Sequence, residues 1–316
     1  MAITNLLGDG SKAEIGGDIL VGLALGDAFG APVEFEAPSA ILPRRAWLET
    51  FPGGGPFGWA PGEFTDDTQM ALVLAEHLLA NGVVEQHALS GSFAQWAAAA
   101  ADVGSQTRRV TSAVARGASW REAVDQLPPD AAGNGSLMRV APVTLIASSR
   151  SQAMELAAAQ SVVTHPNRLC VDACRVFTAA LWDASIGQGV PLDAYAPLAD
   201  EPEVADAVRR SAQATPPRMS GFVIDTLAGA LWAVAGARNF SEAVWRAASL
   251  GRDADTVAAV AGALAAARFH GDAGIPVTWE HALVSHHPMF ASWTAVQLRA
   301  TGQALYQMRT EHADEA

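Results

Sequence analysis

The chain has 316 residues, 50% hydrophobic and 17% charged, with a mean hydropathy of +0.16. That balance buries enough apolar surface to offset ordering entropy, which excludes an intrinsically disordered chain. A net charge of −13 and a pI near 4.9 argue against a nucleic-acid backbone as partner, because such binding needs a basic stripe.

The longest apolar run, Val257–Ala267, is far shorter than the ~20 residues that cross a bilayer, and Arg252 and Arg268 bracket it. No membrane span is expected. Met1–Lys12 shows no basic region followed by an apolar stretch, so the expected compartment is the cytoplasm. Cys170 and Cys174 alone make neither a disulfide framework nor a four-ligand zinc site, and they read as buried helix packing.

In chain order, Ile15–Phe29 reads as a helix in which Gly22, Gly26 and Gly30 recur at every fourth position. Four residues advance a helix by about 400°, so these glycines form one bare stripe. An internal glycine costs about 1 kcal/mol, so the stripe needs a reason. Either another helix packs closely there, or a ligand approaches the backbone.

Phe51–Pro61, dominated by Gly and Pro, reads as a loop. Helical periodicity follows at Asp66–Ala80, Glu85–Ala101 and Ser119–Gln126, the last opening with a Ser119–Glu122 capping box. It continues at Leu137–Ile146, Gln152–Val163, Leu169–Ile186, Glu201–Ala212 and Gly221–Ala235. Ser241–Ser249, Thr256–His270 and Trp293–Met308 complete the set, with a frayed acidic tail beyond. No pair of alternating strands, no internal repeat and no linker interrupts this pattern. The expectation is one compact all-α domain.

Two acidic clusters open helices. Thr65-Asp66-Asp67-Thr68 precedes the periodicity that begins at Met70, and Gly251-Arg252-Asp253-Ala254-Asp255-Thr256 precedes Val257–His270. Each alone would serve as an N-terminal cap. Residues two apart on a helix diverge by about 200°, so Asp253 and Asp255 share a centre only if one of them lies in the preceding loop. Four converging carboxylates cannot all ionise without cations. With oxygen donors and no His or Cys, the ions would be hard ones such as Mg²⁺ or Mn²⁺, and two could be bridged. On these residues alone, joint metal site and double cap both stand.

An ordered series joins the two clusters. Gly26-Asp27-x-x-Gly30-x-x-x-Glu34 is followed by Gly62-x-x-Thr65-Asp66-Asp67-Thr68 and Gly133-Asn134-Gly135-Ser136-x-Met138-Arg139. Thr164-His165 and Asp253-x-Asp255-Thr256 come next. From about residue 16 to about residue 271 the series resembles the ADP-ribosylglycohydrolases, the family of the dinitrogenase-reductase-activating glycohydrolase and the ADP-ribosylarginine and ADP-ribosylserine hydrolases.

The resemblance implies an orthogonal bundle of helices and a binuclear Mg²⁺ or Mn²⁺ centre. Thr65, Asp66, Asp67, Asp253, Asp255 and Thr256 match its metal shell, and Glu34 matches an acid on a loop that covers the substrate ribose. Asp102 and Gly104 resemble a segment where some members carry a proposed catalytic acid. Gly133, Asn134, Gly135, Ser136 and Met138 resemble the loop against the distal ribose and pyrophosphate, and His165 falls in the matching Thr-His pair. Glu34, Asp67 and Asp102 are the candidates for moving protons.

Other residues have two readings each. Asp27 satisfies backbone N–H groups or serves the site. His165 caps a helix or touches ligand. Arg139 meets a pyrophosphate or a buried acid, and Phe57 and Trp59 stack on adenine or dock on the protein itself. His286-His287 reads as surface. Arg252 stands where many members have Gly, bringing a cation near the site mouth.

The expected activity is metal-dependent hydrolysis that releases ADP-ribose from a modified acceptor, arginine on protein ahead of serine. The alternatives are a free ADP-ribosyl or ribosyl metabolite as substrate, or a silent ADP-ribose-binding protein. Intact Asp66, Asp67, Asp253 and Asp255 weigh against the silent reading.

Overall fold

The computed structural model describes residues 9–189 and 191–314. Among them no β-strand forms, and only isolated bridges such as Gly54 with Trp59 and Gly133 with Phe222 occur. The longer helices are α1 (Asp9–Gly30), α2 (Asp66–Asn81), α3 (Gln86–Ala97), α4 (Ser105–Ala115), α5 (Trp120–Val124) and α6 (Pro142–Ile146). They continue as α7 (Arg150–Ser161), α8 (Arg168–Ser185), α9 (Pro202–Arg210), α10 (Val223–Ala235), α11 (Phe240–Ala248), α12 (Ala254–Arg268) and α13 (Ala295–Asp314).

α12 is the centre of the core: every residue from Ala254 to Ala267 is buried. α1 lies along it, and the glycine stripe is the reason it can. A Cβ at Gly26 would collide with the Ala258 carbonyl, and one at Gly30 with the carbonyl of Ala254. α12 answers with Gly262, whose missing Cβ leaves room for the Gly22 carbonyl. Close helix packing, not a ligand, explains the stripe. On its first turns α1 repeats the device against α13, where Gly302 meets the Gly16 carbonyl.

Residues 13–33 are long and apolar enough to cross a bilayer, although Asp18 and Asp27 interrupt the apolar run. Their most apolar window is 94% buried inside the protein, as a core helix requires.

The structure departs from the expected elements in places. Leu137–Ile146 is helical only from Pro142, because proline lacks the N–H an interior position must donate and instead starts the helix at N1. The polar α4 went unrecognised, since only Thr107, Val110, Thr111 and Ala113 of its residues are buried. The capping box forms at Ser119 and Glu122. The last helix continues through Asp314 instead of fraying after Met308.

Packing at the stripe predicts a contrast between two glycine substitutions. Gly26→Ala drives a Cβ into backbone that cannot yield, a clash expected to cost about 1–3 kcal/mol or more. Gly91→Ala, in the middle of α3 with open space around it, should be neutral or stabilise by up to about 1 kcal/mol. Thermal melts of the two variants check this, and equal Tm values would contradict it.

Candidate active site

The ends of three helices meet at one buried acidic cluster. Thr65 is the N-cap residue of α2 and Asp253 that of α12, yet neither side chain caps its own helix. Asp27, fully buried on α1, caps α2 from outside. Its carboxylate accepts from the Thr65 N–H at 2.9 Å, the Thr65 hydroxyl at 2.8 Å, the Thr68 N–H at 3.1 Å and the Thr68 hydroxyl. Asp27 therefore satisfies backbone and hydroxyl donors, and in doing so leaves Asp66 and Asp67 uncommitted to capping. At α2 the cap is thus Asp27 and not its own acids, whereas at α12 Asp255 Oδ1 accepts the Thr256 N–H at 2.9 Å.

Asp253 has φ −88° and ψ 59°, outside the helical region, while Asp255 sits in the first turn of α12. That difference resolves their divergence. Oxygens of Glu34, Asp253 and Asp255 lie within 4.8 Å of one another. The Thr256 hydroxyl is 3.4 Å from Asp67 Oδ2 and 3.4 Å from Asp253 Oδ1, and the Thr65 hydroxyl is 3.4 Å from the same Asp67 oxygen. Thr65, Asp67, Asp253, Asp255, Thr256 and Glu34 thus form one connected set, with Asp66 beside them on α2.

Burial and mutual repulsion push these acids up. Burial, then the Asp102, Asp253 and Asp27 charges, raise Glu34 to about 8. Asp253 rises to about 6 through burial, although Asn134 and Thr256 hydrogen bonds oppose it. Asp66, Asp67 and Asp255 are raised well above the carboxylate range, burial again leading. Asp67 Oδ1 and Glu34 Oε2 are buried without a hydrogen-bond partner. Orphaned carboxylate oxygens in a set of oxygen donors are what a hard divalent cation would satisfy, so the residues fit such an ion.

Above the cluster opens a cavity of about 330 Å³. Glu34, Asp66, Asp102, Gly104, Gly133, Asn134, Gly135, Met138, His165, Asp253, Asp255 and Thr256 line it, all expected from sequence. Thr65, Asp67 and Ser136 do not. Thr65 and Asp67 lie beneath, whereas Ser136 is fully buried under its loop, hydrogen-bonded to Ser161 at 2.9 Å. Its part is to hold the loop, not to face the cavity.

A second layer supports the lining. Asn134 donates to Asp253 and to the Thr226 hydroxyl. Gln106, on α4, accepts from the Gly133 N–H at 3.3 Å and donates to the Thr164 carbonyl at 3.0 Å. Cys170 and Cys174, free and buried on α8, touch the Gly133 carbonyl and the Ser136 hydroxyl. Gln106, Thr226, Gly221 and the cavity-lining Phe35 were missed from sequence. Their periodicity and residue types look like those of any helix or loop, and only the topology brings them here.

Several alternatives find their answers. Arg139 does not line the cavity: buried completely, it donates to Gln160 Oε1 at 2.8 Å and lies 4.2 Å over Phe93. Burial lowers it to about 9. His165 lines the cavity, with Nδ1 2.7 Å from the Thr164 hydroxyl, and burial holds it well below the usual imidazole range. Trp59 is buried and docked on the protein, with half-exposed Phe57 5.7 Å away. His287 is not surface; it is buried, with Nε2 3.2 Å from the Trp96 carbonyl. Arg252 takes φ +61°, a conformation that favours glycine.

The raised acids predict how the protein responds to pH. Without cations, folded Glu34 keeps its proton to about pH 8 and Asp253 to about pH 6, against ordinary values of 4.5 and 3.8. Between those limits the folded protein binds more protons than the unfolded chain, so stability falls as pH rises and is fullest below about pH 4 on this account. In chelator, Tm is expected to drop from about pH 5 to about pH 8 and to recover on adding Mg²⁺ or Mn²⁺ at the upper limit. Asp253→Asn should flatten the pH slope. A Tm indifferent to both pH and cation would contradict this.

Comparison with known proteins agrees with the geometry. The ADP-ribosylglycohydrolase family model matches residues 17–313. The ADP-ribosylarginine hydrolase Tri1 of Pseudomonas putida (strain GB-1) is 36% identical over 82% of this chain and 71% of its own. The ADP-ribosyl-[dinitrogen reductase] glycohydrolase of Rhodospirillum rubrum is 29% identical over 82% of this chain and 86% of its own. A solved ADP-ribosylglycohydrolase-related protein complex superposes with a TM-score of 0.79 at 33% identity, covering 94% of this chain and 99% of that one. Sequence, fold and acidic cavity converge: the chain belongs to the ADP-ribosylglycohydrolase family, glycosidases that release ADP-ribose from an ADP-ribosylated acceptor.

Proposed function

We propose that the acceptor is an arginine side chain on protein and that turnover requires two divalent cations, Mg²⁺ or Mn²⁺. Two relatives named ADP-ribosylarginine hydrolases, from Pseudomonas putida and from Serratia proteamaculans (34% identical), support the acceptor. The observation that carries the reading is the run of acids from the buried cluster to Glu34 and Asp102 in the cavity wall. An excess of carboxylates at the reacting end suits a cationic guanidinium leaving group and an oxocarbenium-like transition state.

Thr65, Asp66, Asp67, Asp253, Asp255 and Thr256 would hold the ions, with Glu34 close enough to join them. Bound there, the ions would anchor the ribose hydroxyls and acidify a water. In the reaction, the bond from the anomeric carbon to the guanidine nitrogen breaks, water oxygen bonds to that carbon, and a water proton ends on the departing guanidine.

Glu34, Asp67 and Asp102 are the carboxylates proposed to carry that proton. Glu34 and Asp102 line the cavity, within reach of a substrate, whereas Asp67 lies beneath among threonine hydroxyls. That favours the first two. The Gly133–Gly135 loop and His165 also line the cavity and would receive the rest of ADP-ribose. Gly135 lies so near His165 Cε1 that a Cβ would stand 2.8 Å from it, so the wall is shaped by backbone.

The test is ADP-ribose release, by chromatography, from arginine- and serine-ADP-ribosylated proteins with Mg²⁺, Mn²⁺ or chelator. Release from the arginine substrate is expected with cation and not with chelator. Asp255→Ala should lower turnover by about a thousandfold or more, the loss of several kcal/mol of stabilisation. Cation-independent release, or release from serine alone, would overturn the corresponding half of the proposal.

A further inference from the structure

We propose that Phe35 selects the acceptor, its ring forming the platform on which the arginine guanidinium stacks while the Glu34 and Asp102 carboxylates flank it. This rests on the arginine reading above.

Phe35 lines the cavity beside Glu34, yet it is 59% exposed, while its neighbours Val33 and Glu34 are buried. A lone exposed ring is ordinary on a surface; what distinguishes this one is a constraint that holds it at the cavity mouth. The backbone supplies it. Phe35 takes φ +65°, a left-handed conformation that costs a non-glycine residue on the order of a kcal/mol. Two backbone hydrogen bonds hold it there. Phe35 N–H donates to the Arg252 carbonyl at 2.5 Å, and Arg252 N–H donates to the Glu36 carbonyl at 2.8 Å. Arg252, also left-handed, thus braces the loop from the segment that carries Asp253 and Asp255. Strain retained at a site mouth points to use of the conformation it maintains.

The ring is also backed. Its centroid lies 6.5 Å from Phe57 at an interplanar angle of 58°, and Phe57 rests 5.7 Å from buried Trp59. The loop that bears these two packs on Ala31, where Gly55 leaves room for the Ala31 carbonyl. The three rings run from buried Trp59 through Phe57 to Phe35 at the cavity wall.

An aromatic ring that shares a cavity lining with two acids is complementary to a planar, weakly hydrated cation. A guanidinium fits that description and a serine hydroxyl does not. Cation–π stacking of this kind changes binding by about 3- to 30-fold.

The experiment compares Phe35→Leu and Phe35→Tyr with wild type on arginine- and serine-linked ADP-ribose, together with inhibition by free ADP-ribose. Phe35→Leu should raise KM for the arginine substrate about tenfold, with inhibition by free ADP-ribose weakened far less. Phe35→Tyr, which keeps the ring, should restore the wild-type KM. An unchanged KM in Phe35→Leu would overturn the proposal, as would ADP-ribose inhibition weakening by the same factor as arginine binding. Failure of the underlying reading shows differently, as no release from the arginine substrate by wild-type enzyme.

Discussion

The backbone contact between α1 and α12 is the constraint on which the site depends. Stripped of side chains at Gly22, Gly26, Gly30 and Gly262, the two helices approach until carbonyl meets Cα. No larger residue would allow that separation. Because Asp27 lies next to Gly26 on α1, it reaches the start of α2 and grips Thr65 and Thr68. Because Gly30 abuts Ala254 and Asp255, the chain leaving α1 delivers Glu34 directly over the start of α12. One packing contact therefore aligns three chain segments far apart in sequence.

What that contact assembles is electrostatically costly. Six carboxylates, those of Asp27, Glu34, Asp66, Asp67, Asp253 and Asp255, lie close together, all buried but half-buried Asp253, and desolvation raises every one of them. Hydrogen bonds offset part of the cost at Asp27 and Asp253, where threonine and asparagine donors converge. At Asp67 Oδ1 and Glu34 Oε2 nothing does. The fold keeps this unfavourable arrangement because it is preorganised for positive charge, whether of bound cations or of an oxocarbenium-like transition state.

Much of this was legible in the sequence. Helix periodicity located most elements, and the glycine spacing marked a special face on α1, although spacing alone could not say whether helix or ligand used it. The requirement that one of Asp253 and Asp255 lie ahead of the helix followed from 3.6-residue geometry, and in the structure that residue is Asp253. Residues whose meaning depends on topology were not legible. Ser136 belongs to a motif yet faces inward, and Arg139 finds Gln160 and Phe93 instead of an acid. α4 carries too few apolar residues to announce itself, yet it supplies the cavity wall at Ser105–Thr107. Phe35 was passed over because its left-handed backbone and outward ring have no signature in residue type.

The acid cluster gathered by α1 and α12 has the donor set of a cation site. Titrating Mn²⁺ into chelator-treated, folded protein by calorimetry tests it most directly. The account predicts saturable binding of two ions per chain, abolished or reduced in Asp255→Asn while the variant's circular dichroism stays wild type. Folded protein that takes up no stoichiometric Mn²⁺ or Mg²⁺ would contradict it.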